Sequence, residues 1–589
     1  MYNKIMERLS HRGPDGSDIF STGNVTMGHW HFWTTPEEVG ERQPLGLKGL
    51  PFKIVFDGRI DNREELFTEL NISPAEGKSL SDALLVLRAF AFWGEDCFKQ
   101  FVGEFALVIF DEQKNELICA RDHLGDRTLF YADYGSQFVI ASEPWAVVGV
   151  SLAKPELNEI AIAYYFAVKE MEDGQTFFNN VYELLPAHHM IITLSGQRVI
   201  RYWQPDPHKK IRYKTDEEYA EQFRNLLEES IRCRMRSITP VGILMSGGLD
   251  STSVASLTAR MINPQQLTTI SYVFDELPDC DERQYINAVK EKWNIRSIQI
   301  PGDDAWPYKN WKNWRRNPNH PEGNPYRLVK ERAYQRANNE GLRVLLTGGF
   351  GDHLYDGAEE WMADLIEDGR LFQALQGLAD NIRYFGLRRT LAGQSLRRTA
   401  RHLLDKIPGG NRLHGKQQTA PPWLMPFSTD STNNKPSTWI DPAFAQKTNV
   451  LGLRVANSSA GETFNTSRYS LELRHPYRDR RLIEFVLSIP AYQFYFQGVY
   501  KYILRNAMKG ILPEIIRARR QPTSLLSFYF RGVDQEKNLL QDRIQDSNAS
   551  WRKFVQPDWL LNHWNASVGL DKDGPQVLIP WLCLSYEAW

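Results

Sequence analysis

The chain has 589 residues, too many for a single hydrophobic core, so two or more domains are expected. Apolar residues are 42% and charged residues 24% of the total, the balance of a soluble globular protein, and a formal net charge of −2 provides no basic footprint for nucleic acid. No apolar run approaches the roughly 18 residues of a membrane span, the polar start MYNKIMERLSHRGPDG is not a signal peptide, and five scattered cysteines without zinc-like spacing point to a reducing, cytoplasmic compartment.

Residues 1–207 read as a first, β-rich domain. Candidate strands cover 25–33, 52–56, 104–110, 116–121 and 138–141, with a hairpin connection over 111–115. Helices are expected near 62–70 and 81–93. The segment WQPDPHKK, 203–210, is the natural linker. From 208 to 589 the pattern alternates. Thr215 and Glu218 make a capping box, and the helix they open carries Tyr219, Phe223, Leu226 and Leu227 on one face. Strands at 241–245, 268–274, 297–300 and 343–347 then alternate with helices at 251–262, 282–293 and 326–339. Such alternation predicts a parallel sheet with right-handed crossovers, whose ligands bind at the carboxyl ends of the strands. Two glycine-rich turns, 246–248 and 347–351, lie at such ends. Residues 370–440, rich in Arg, Gly, Gln, Asn and Pro, read as a partly helical insertion with a mobile loop.

The run VGILMSGGLDSTSV, 241–254, carries the most chemistry. A buried strand leads into the tight turn Ser246-Gly247-Gly248, and a helix opens at Asp250-Ser251-Thr252. Unpaired backbone N–H groups at a helix N-terminus gather partial positive charge, so an anion fits there without a lysine. Two glycines let the backbone approach a phosphate closely. Asp250 would repel that phosphate unless Mg²⁺ sat between them, which makes it a candidate metal ligand. The lookalike Gly77-Lys78-Ser79 is no Walker loop, because Ile72 holds the position of the required earlier glycine.

SGGLDS resembles the pyrophosphate loop of ATP-pyrophosphatases, which split ATP between its α and β phosphates. TGGFGDHLYDG (347–357), ELRHPYRD (472–479) and GVYKYILRNAM (498–508) resemble the S-G-E-G-S-D-E-x-x-x-G, E-x-R-x-P-F-x-D helix start and G-K-x-x-K-x-I-L-R segments of asparagine synthetases. HRGPDG (11–16), QPL (43–45), FDGRIDN (56–62) and RDHLGDRTLFY (121–131) resemble the glutaminase domain of the same enzymes. The resemblance implies a class II glutaminase, Ntn-hydrolase-like sandwich over 1–207 and an α/β ATP-pyrophosphatase domain with a parallel sheet over 208–589. It implies ATP and Mg²⁺ as cofactors. Ser246, Gly247, Gly248, Asp250 and Ser251 would cradle the pyrophosphate, Asp250 and Asp352 would share the metal, and Met245, Phe274, Thr347 and Gly348 would line adenine and ribose. Lys501 would neutralise charge on the leaving pyrophosphate and on the tetrahedral intermediate. Glu472 is either a base or dyad member, or the partner of Arg474 or Arg478 in an ion pair.

The departures narrow the reading. The family's glutaminase uses an N-terminal Cys, and here the sequence begins Met1-Tyr2. Its oxyanion Asn is Asp57, a carboxylate that repels an oxyanion. The Glu of the same motif is Arg59, a substrate-binding Arg is His31, and only Asp82 remains of the glutamine-binding set. Residues 1–207 are therefore expected to be catalytically inactive toward glutamine. That pattern resembles β-lactam synthetases and, more closely, lasso peptide cyclases, which adenylate a carboxylate and close an amide with an amine of the same substrate. This resemblance implies a precursor peptide as substrate, and a leader-peptide-binding protein and protease as pathway partners. The position three before Asp352, Glu or Tyr in asparagine and β-lactam synthetases, is Gly349, so the site has more room and its base must come from elsewhere. Ammonia-dependent asparagine synthesis and a non-catalytic scaffold stand as alternatives. His188-His189 reads as a structural loop, the run 492–496 as core, and Arg478, Arg480 and Arg481 as a solvated or ion-paired helix start.

Overall fold

The computed structural model describes every residue except 1, 151–153, 170, 172–173, 207, 356–357, 394, 398, 401–420, 427–455 and 567–574. The loop expected within 370–440 lies largely outside the described residues. The leading part of that insertion is helical, over Leu371–Phe385 and Leu387–Ala392.

The N-terminal unit opens with α1 (Tyr2–Leu9) and the hairpin β1 (Ser17–Thr22) and β2 (Val25–Trp30). It continues through β3 (Phe52–Ile60), α2 (Asp82–Trp93), β4 (Gly103–Asp111), β5 (Glu116–Arg121), β6 (Phe130–Asp133), β7 (Phe138–Ala141), β8 (Tyr182–Glu183), β9 (His188–Thr193) and β10 (Gly196–Arg201). One sheet runs in the order β10-β9-β5-β4-β3 and is antiparallel throughout; a smaller one runs β7-β6-β8. Ser81 caps α2, its hydroxyl accepting from Leu84 N–H. The apolar face of α2 packs with Ile54, Phe56, Phe105 and Leu107. Ala106, Val108 and Phe110 belong to a second cluster with Met27, Leu129 and Met190. Because β4 is buried on both faces, residues 105–110 are apolar without alternation. Each of the Phe, Leu, Val and Ile side chains among them contributes about 1.5–3 kcal/mol on burial.

The second unit begins with α3 (Asp216–Arg234), and its predicted capping box is present. Glu218 N–H donates to Thr215 Oγ1 at 3.3 Å, and Thr215 N–H to Glu218 Oε2 at 2.9 Å. Then come β11 (Val241–Leu244), α4 (Leu249–Met261), β12 (Thr268–Val273), α5 (Arg283–Trp293), β13 (Arg296–Pro301), α6 (Arg327–Asn339), β14 (Val344–Thr347), α7 (Ala456–Ser467), β15 (Glu472–Arg474), α8 (Arg480–Ser488) and α9 (Tyr502–Ala507). The sheet order is β13-β12-β11-β14-β15, with every neighbouring pair parallel. Strands after β11 build first to one side and then to the other. The order therefore reverses between β11 and β14, which opens a crevice at their carboxyl ends. One element differs from expectation: the stretch 472–479 contributes the edge strand β15 before its helix begins. Three residues are too few to show a hydrophobic period, and two of the three are charged. Tyr492, Gln493 and Phe494 are buried, as expected for core. No helix of the described residues is long and apolar enough to cross a membrane.

Buried charges join the two units. Arg234, at the end of α3, donates to Glu104 and to Asp479, each at 3.1 Å. Arg59 donates to Asp61 at 2.6 Å and to Glu104 at 3.3 Å, and lies 3.7 Å from Glu472. Arg478 pairs with Asp126, while Arg480 pairs with Glu484 on its own helix and Arg481 with Asp479, the residue that caps it. Burial pushes the Glu104 carboxyl up, but Arg59 and Arg234 outweigh it and bring its pKa down to about 2. Such a carboxylate stabilises the fold above its unfolded pKa of about 4.3, and that contribution is lost as pH falls toward the folded value. Removing one partner leaves a buried charge uncompensated. Arg234→Met should therefore cost about 3–5 kcal/mol, read from the urea midpoint, with part of the loss recovered in the double variant Arg234→Met/Glu104→Gln. A loss below about 1 kcal/mol would show that the network does not hold the units together.

Candidate functional site

A pocket of about 630 Å³ opens at the carboxyl ends of β11 and β14. Met245, Ser246, Gly248, Asp250, Ser251, Thr347, Gly348, Asp352 and Lys501 line it, so most of the sequence-predicted site converges there. The turn and helix are tied locally. Ser246 N–H donates to Ser251 Oγ at 3.1 Å, and Gly248 N–H to Ser246 Oγ at 3.2 Å. The second turn packs directly on the first helix: a Cβ on Gly348 would lie 2.6 Å from Ser251 N, so only glycine allows that approach.

Three predicted residues sit elsewhere. Gly247 is turned from the pocket, its N–H donating to Glu282 Oε2 at 2.8 Å. Phe274 is buried behind the wall, its ring 4.9 Å from that of Phe528, so it shapes the pocket without lining it. Glu472 faces the domain interface, where Arg474 donates to it at 3.0 Å and Arg127 pairs with it. Burial raises the Glu472 carboxyl, yet Arg474 and Arg127 hold it well below the usual carboxylate range. A carboxylate so strongly ionised is a poor proton acceptor, and of its two sequence readings this geometry is the ion pair.

Lys501 sits just before α9 with a left-handed backbone, φ 58°. Its ammonium donates to Asp250 Oδ2 at 2.5 Å and lies 2.6 Å from Asp352 Oδ1. Asp250 Oδ1 is buried with no hydrogen-bond partner, and burial, only partly countered by Lys501, raises that carboxyl's pKa. Two hard oxygen ligands converge on one cationic position with an orphaned oxygen beside it, which fits Mg²⁺. Among the described residues no group of three or more His, Cys, Asp or Glu side chains is placed for a metal. A pair of carboxylates suits Mg²⁺, which takes few protein ligands and fills its shell with phosphate oxygens and water.

Several cationic lining residues escaped the sequence reading: Lys330, Arg505, Arg519 and Arg520. Arg519 donates to Glu282 at 3.0 Å and to the Gly247 carbonyl at 3.2 Å. The signal available for it was the basic run RARR at 517–520. His188 and His189 make ordinary structural bonds, to the Pro186 carbonyl at 2.8 Å and to Glu95 at 2.9 Å.

In the N-terminal unit, Arg12 donates to Asp57 at 2.9 Å, and Arg127 lies 3.4 Å from the same carboxylate. Burial raises Asp57, but Arg127 and Arg12 outweigh it and lower its pKa. Asp82 is paired with Arg63 and accepts from Arg236 at 2.5 Å and from Ile60 N–H at 3.0 Å. His31 is buried, 2.9 Å from Asp18. A cavity of about 140 Å³ between the units reaches from Arg12, Asp57 and Arg127 to Glu462, Leu473 and His475, which also line the larger pocket.

A parallel sheet with an anion-binding turn at its switch point, joined to an antiparallel sandwich, defines a nucleotide-using domain fused to an amidotransferase-type domain. The family model for asparagine synthase matches residues 222–589, and that for a glutamine amidotransferase domain matches residues 1–203. The chain belongs to the asparagine synthase family of ATP-dependent C–N ligases. It is 25% identical over 635 residues to asparagine synthetase (glutamine-hydrolyzing) 3 of Bacillus subtilis, covering 98% of this chain and 92% of that one. Asparagine synthetase (glutamine-hydrolyzing) 1 of the same organism is 24% identical over 608 residues, covering 100% and 93%. Amidase chyE of Penicillium rubens is 23% identical over 387 residues, covering 62% and 56%.

The Mg²⁺ assignment requires both carboxylates. Asp250→Ala and Asp352→Ala should each lower Mg²⁺-dependent pyrophosphate release from ATP by about 10²–10³ while leaving the circular dichroism spectrum unchanged. A near-normal rate in either variant, or ADP as product, would refute the assignment.

Proposed function

We propose that the chain is an ATP- and Mg²⁺-dependent amide ligase that adenylates a side-chain carboxylate of a precursor peptide and closes a macrolactam with the peptide's own N-terminal amine, as lasso peptide cyclases do. The observation that carries this reading is the N-terminal unit's charge arrangement. Asp57, tied to Arg12 and Arg127, holds negative charge where a glutaminase needs an oxyanion donor, and Asp82 is engaged by Arg63 and Arg236. A unit so arranged delivers no ammonia from glutamine, and on this reading the amine arrives with the substrate. The unit then serves as a structural partner of the ligase domain.

The turn of Ser246, Gly248, Asp250 and Ser251 holds the pyrophosphate end of ATP, with Met245, Thr347 and Gly348 against the nucleoside. Asp250 and Asp352 would hold Mg²⁺, which when bound spreads the charge of the phosphate oxygens. Lys501 neutralises the departing pyrophosphate and then the oxygen of the tetrahedral intermediate. Amine and acyl-adenylate on one molecule make the attack effectively unimolecular, an advantage of up to about 7–11 kcal/mol. A leader-peptide-binding protein and a protease are the partners such a substrate requires. The Bacillus subtilis relatives, named glutamine-hydrolyzing asparagine synthetases, favour a second reading, asparagine synthesis, with free ammonia replacing glutamine because of the charges around Asp57.

One incubation separates the two. With ATP, Mg²⁺ and a peptide bearing a free N-terminus and an internal Asp or Glu, the product should have the mass of the linear peptide less one water, with AMP and pyrophosphate released. Acetylating the N-terminus should block it. Cyclisation of the acetylated peptide, or efficient conversion of aspartate and ammonia to asparagine, would overturn the macrolactam reading.

A further inference from the structure

His475 has no part in the roles assigned so far, yet it lines the pocket at the end of β15. Strand alternation explains its place. Glu472 and Arg474 are engaged in the domain interface, and Leu473 and His475 fall on the pocket side. Both ring nitrogens are engaged: Nε2 is 2.8 Å from Glu462 Oε2, on α7, and Nδ1 is 2.7 Å from Thr347 Oγ1. A carboxylate only accepts, so Nε2 carries the proton and Nδ1 holds the lone pair toward which the Thr347 hydroxyl donates. The Gly349 N–H donates to the same hydroxyl oxygen at 2.9 Å. A Cβ on Gly349 would lie 2.8 Å from His475 Nδ1 and 3.0 Å from Thr347 Oγ1. The room left by glycine at 349 is thus already filled by an imidazole and a hydroxyl, beside the nucleotide turn.

We propose that Thr347, His475 and Glu462 form a proton relay that accepts the proton of the attacking amine during amide closure; this rests on the ligase reading above. The lone pair of the uncharged amine attacks the acyl-adenylate carbon and the C–N bond forms. The C–O bond to AMP breaks, its electron pair leaving on the phosphate oxygen. The N–H proton passes to Thr347 Oγ1 as the hydroxyl's own proton passes to His475 Nδ1, and the resulting imidazolium faces the Glu462 carboxylate. Burial opposes a charged imidazole at 475, but Glu462 outweighs it and the pKa lies above the ordinary histidine value. Arg478, after β15, works against that charge, and Asp126, from the N-terminal unit, supports it. Burial raises the Glu462 carboxyl, but His475 outweighs it, helped by Lys330 of α6 and by Arg478, and its pKa is lowered.

The test compares two reactions of the full chain: peptide-dependent ATP–pyrophosphate exchange, which reads adenylation, and formation of closed product. In His475→Gln the ratio of closure to exchange should fall by about 10²–10⁴, and in Glu462→Gln by a smaller factor. Wild-type closure should rise with pH along a limb centred above the ordinary histidine value of about 6.5. Because Glu462 stabilises the imidazolium, Glu462→Gln should move that limb to lower pH. A merely structural role would leave the limb in place and lower both reactions together, and either result overturns the relay. If the wild type shows no peptide-dependent exchange, the substrate reading fails, and the same ratio measured with aspartate and ammonia tests the relay independently.

Discussion

Glu472 is held ionised among the guanidiniums of Arg474, Arg127 and Arg59, and the meeting of the two units depends on that cluster. Arg127 and Arg59 come from the N-terminal unit, Arg474 from the same strand as Glu472. A buried cluster of this kind adds little net stability over an apolar one, but breaking any single member is costly, so it specifies one docking geometry. Two consequences follow. The edge strand β15 is pinned, which presents Leu473 and His475 to the nucleotide pocket. Arg127 is shared between Glu472 and Asp57, so the Asp57 carboxylate in one unit is tied to the strand that borders the nucleotide pocket in the other.

At the opposite wall, Lys501 stands between Asp250 and Asp352. Two carboxylates and one ammonium leave the cluster short of positive charge, and Asp250 keeps an oxygen without a partner. A divalent cation held by the two carboxylates would offset that imbalance. The Lys501 ammonium would then be free to face phosphates, together with Arg505, Arg519 and Arg520, which line the same pocket. Binding and chemistry thus draw on one set of charges, arranged by two glycine-rich turns packed against each other at the sheet's switch point.

Much of this was legible from residues alone, for identifiable reasons. The strand and helix runs from 241 to 347 are long enough to show their periods, and the Thr215–Glu218 box marks a helix start by local chemistry. SGGLDS is specific because few chains need that many small residues before an Asp at a helix N-terminus. Other features were not legible, since they arise from residues distant in sequence. The environment of Glu472 is built from residues 59, 127 and 474, and a carboxylate beside a basic motif reads equally as base or ion pair. His475 meets Thr347 because β15 lies beside β14, and meets Glu462 because α7 packs against β15. Phe274 follows an apolar strand, and pattern cannot say whether such a side chain lines a pocket or backs it. Gly349 signalled room, but not that His475 occupies it.

The central claim is that the amine entering the new amide belongs to the substrate and not to glutamine. It is tested most directly by incubating the chain with ATP, Mg²⁺, an acceptor peptide and glutamine labelled with ¹⁵N at the side-chain amide, then weighing the product. The account predicts unlabelled product and no glutamate released above the enzyme-free control; ¹⁵N in the product would contradict it.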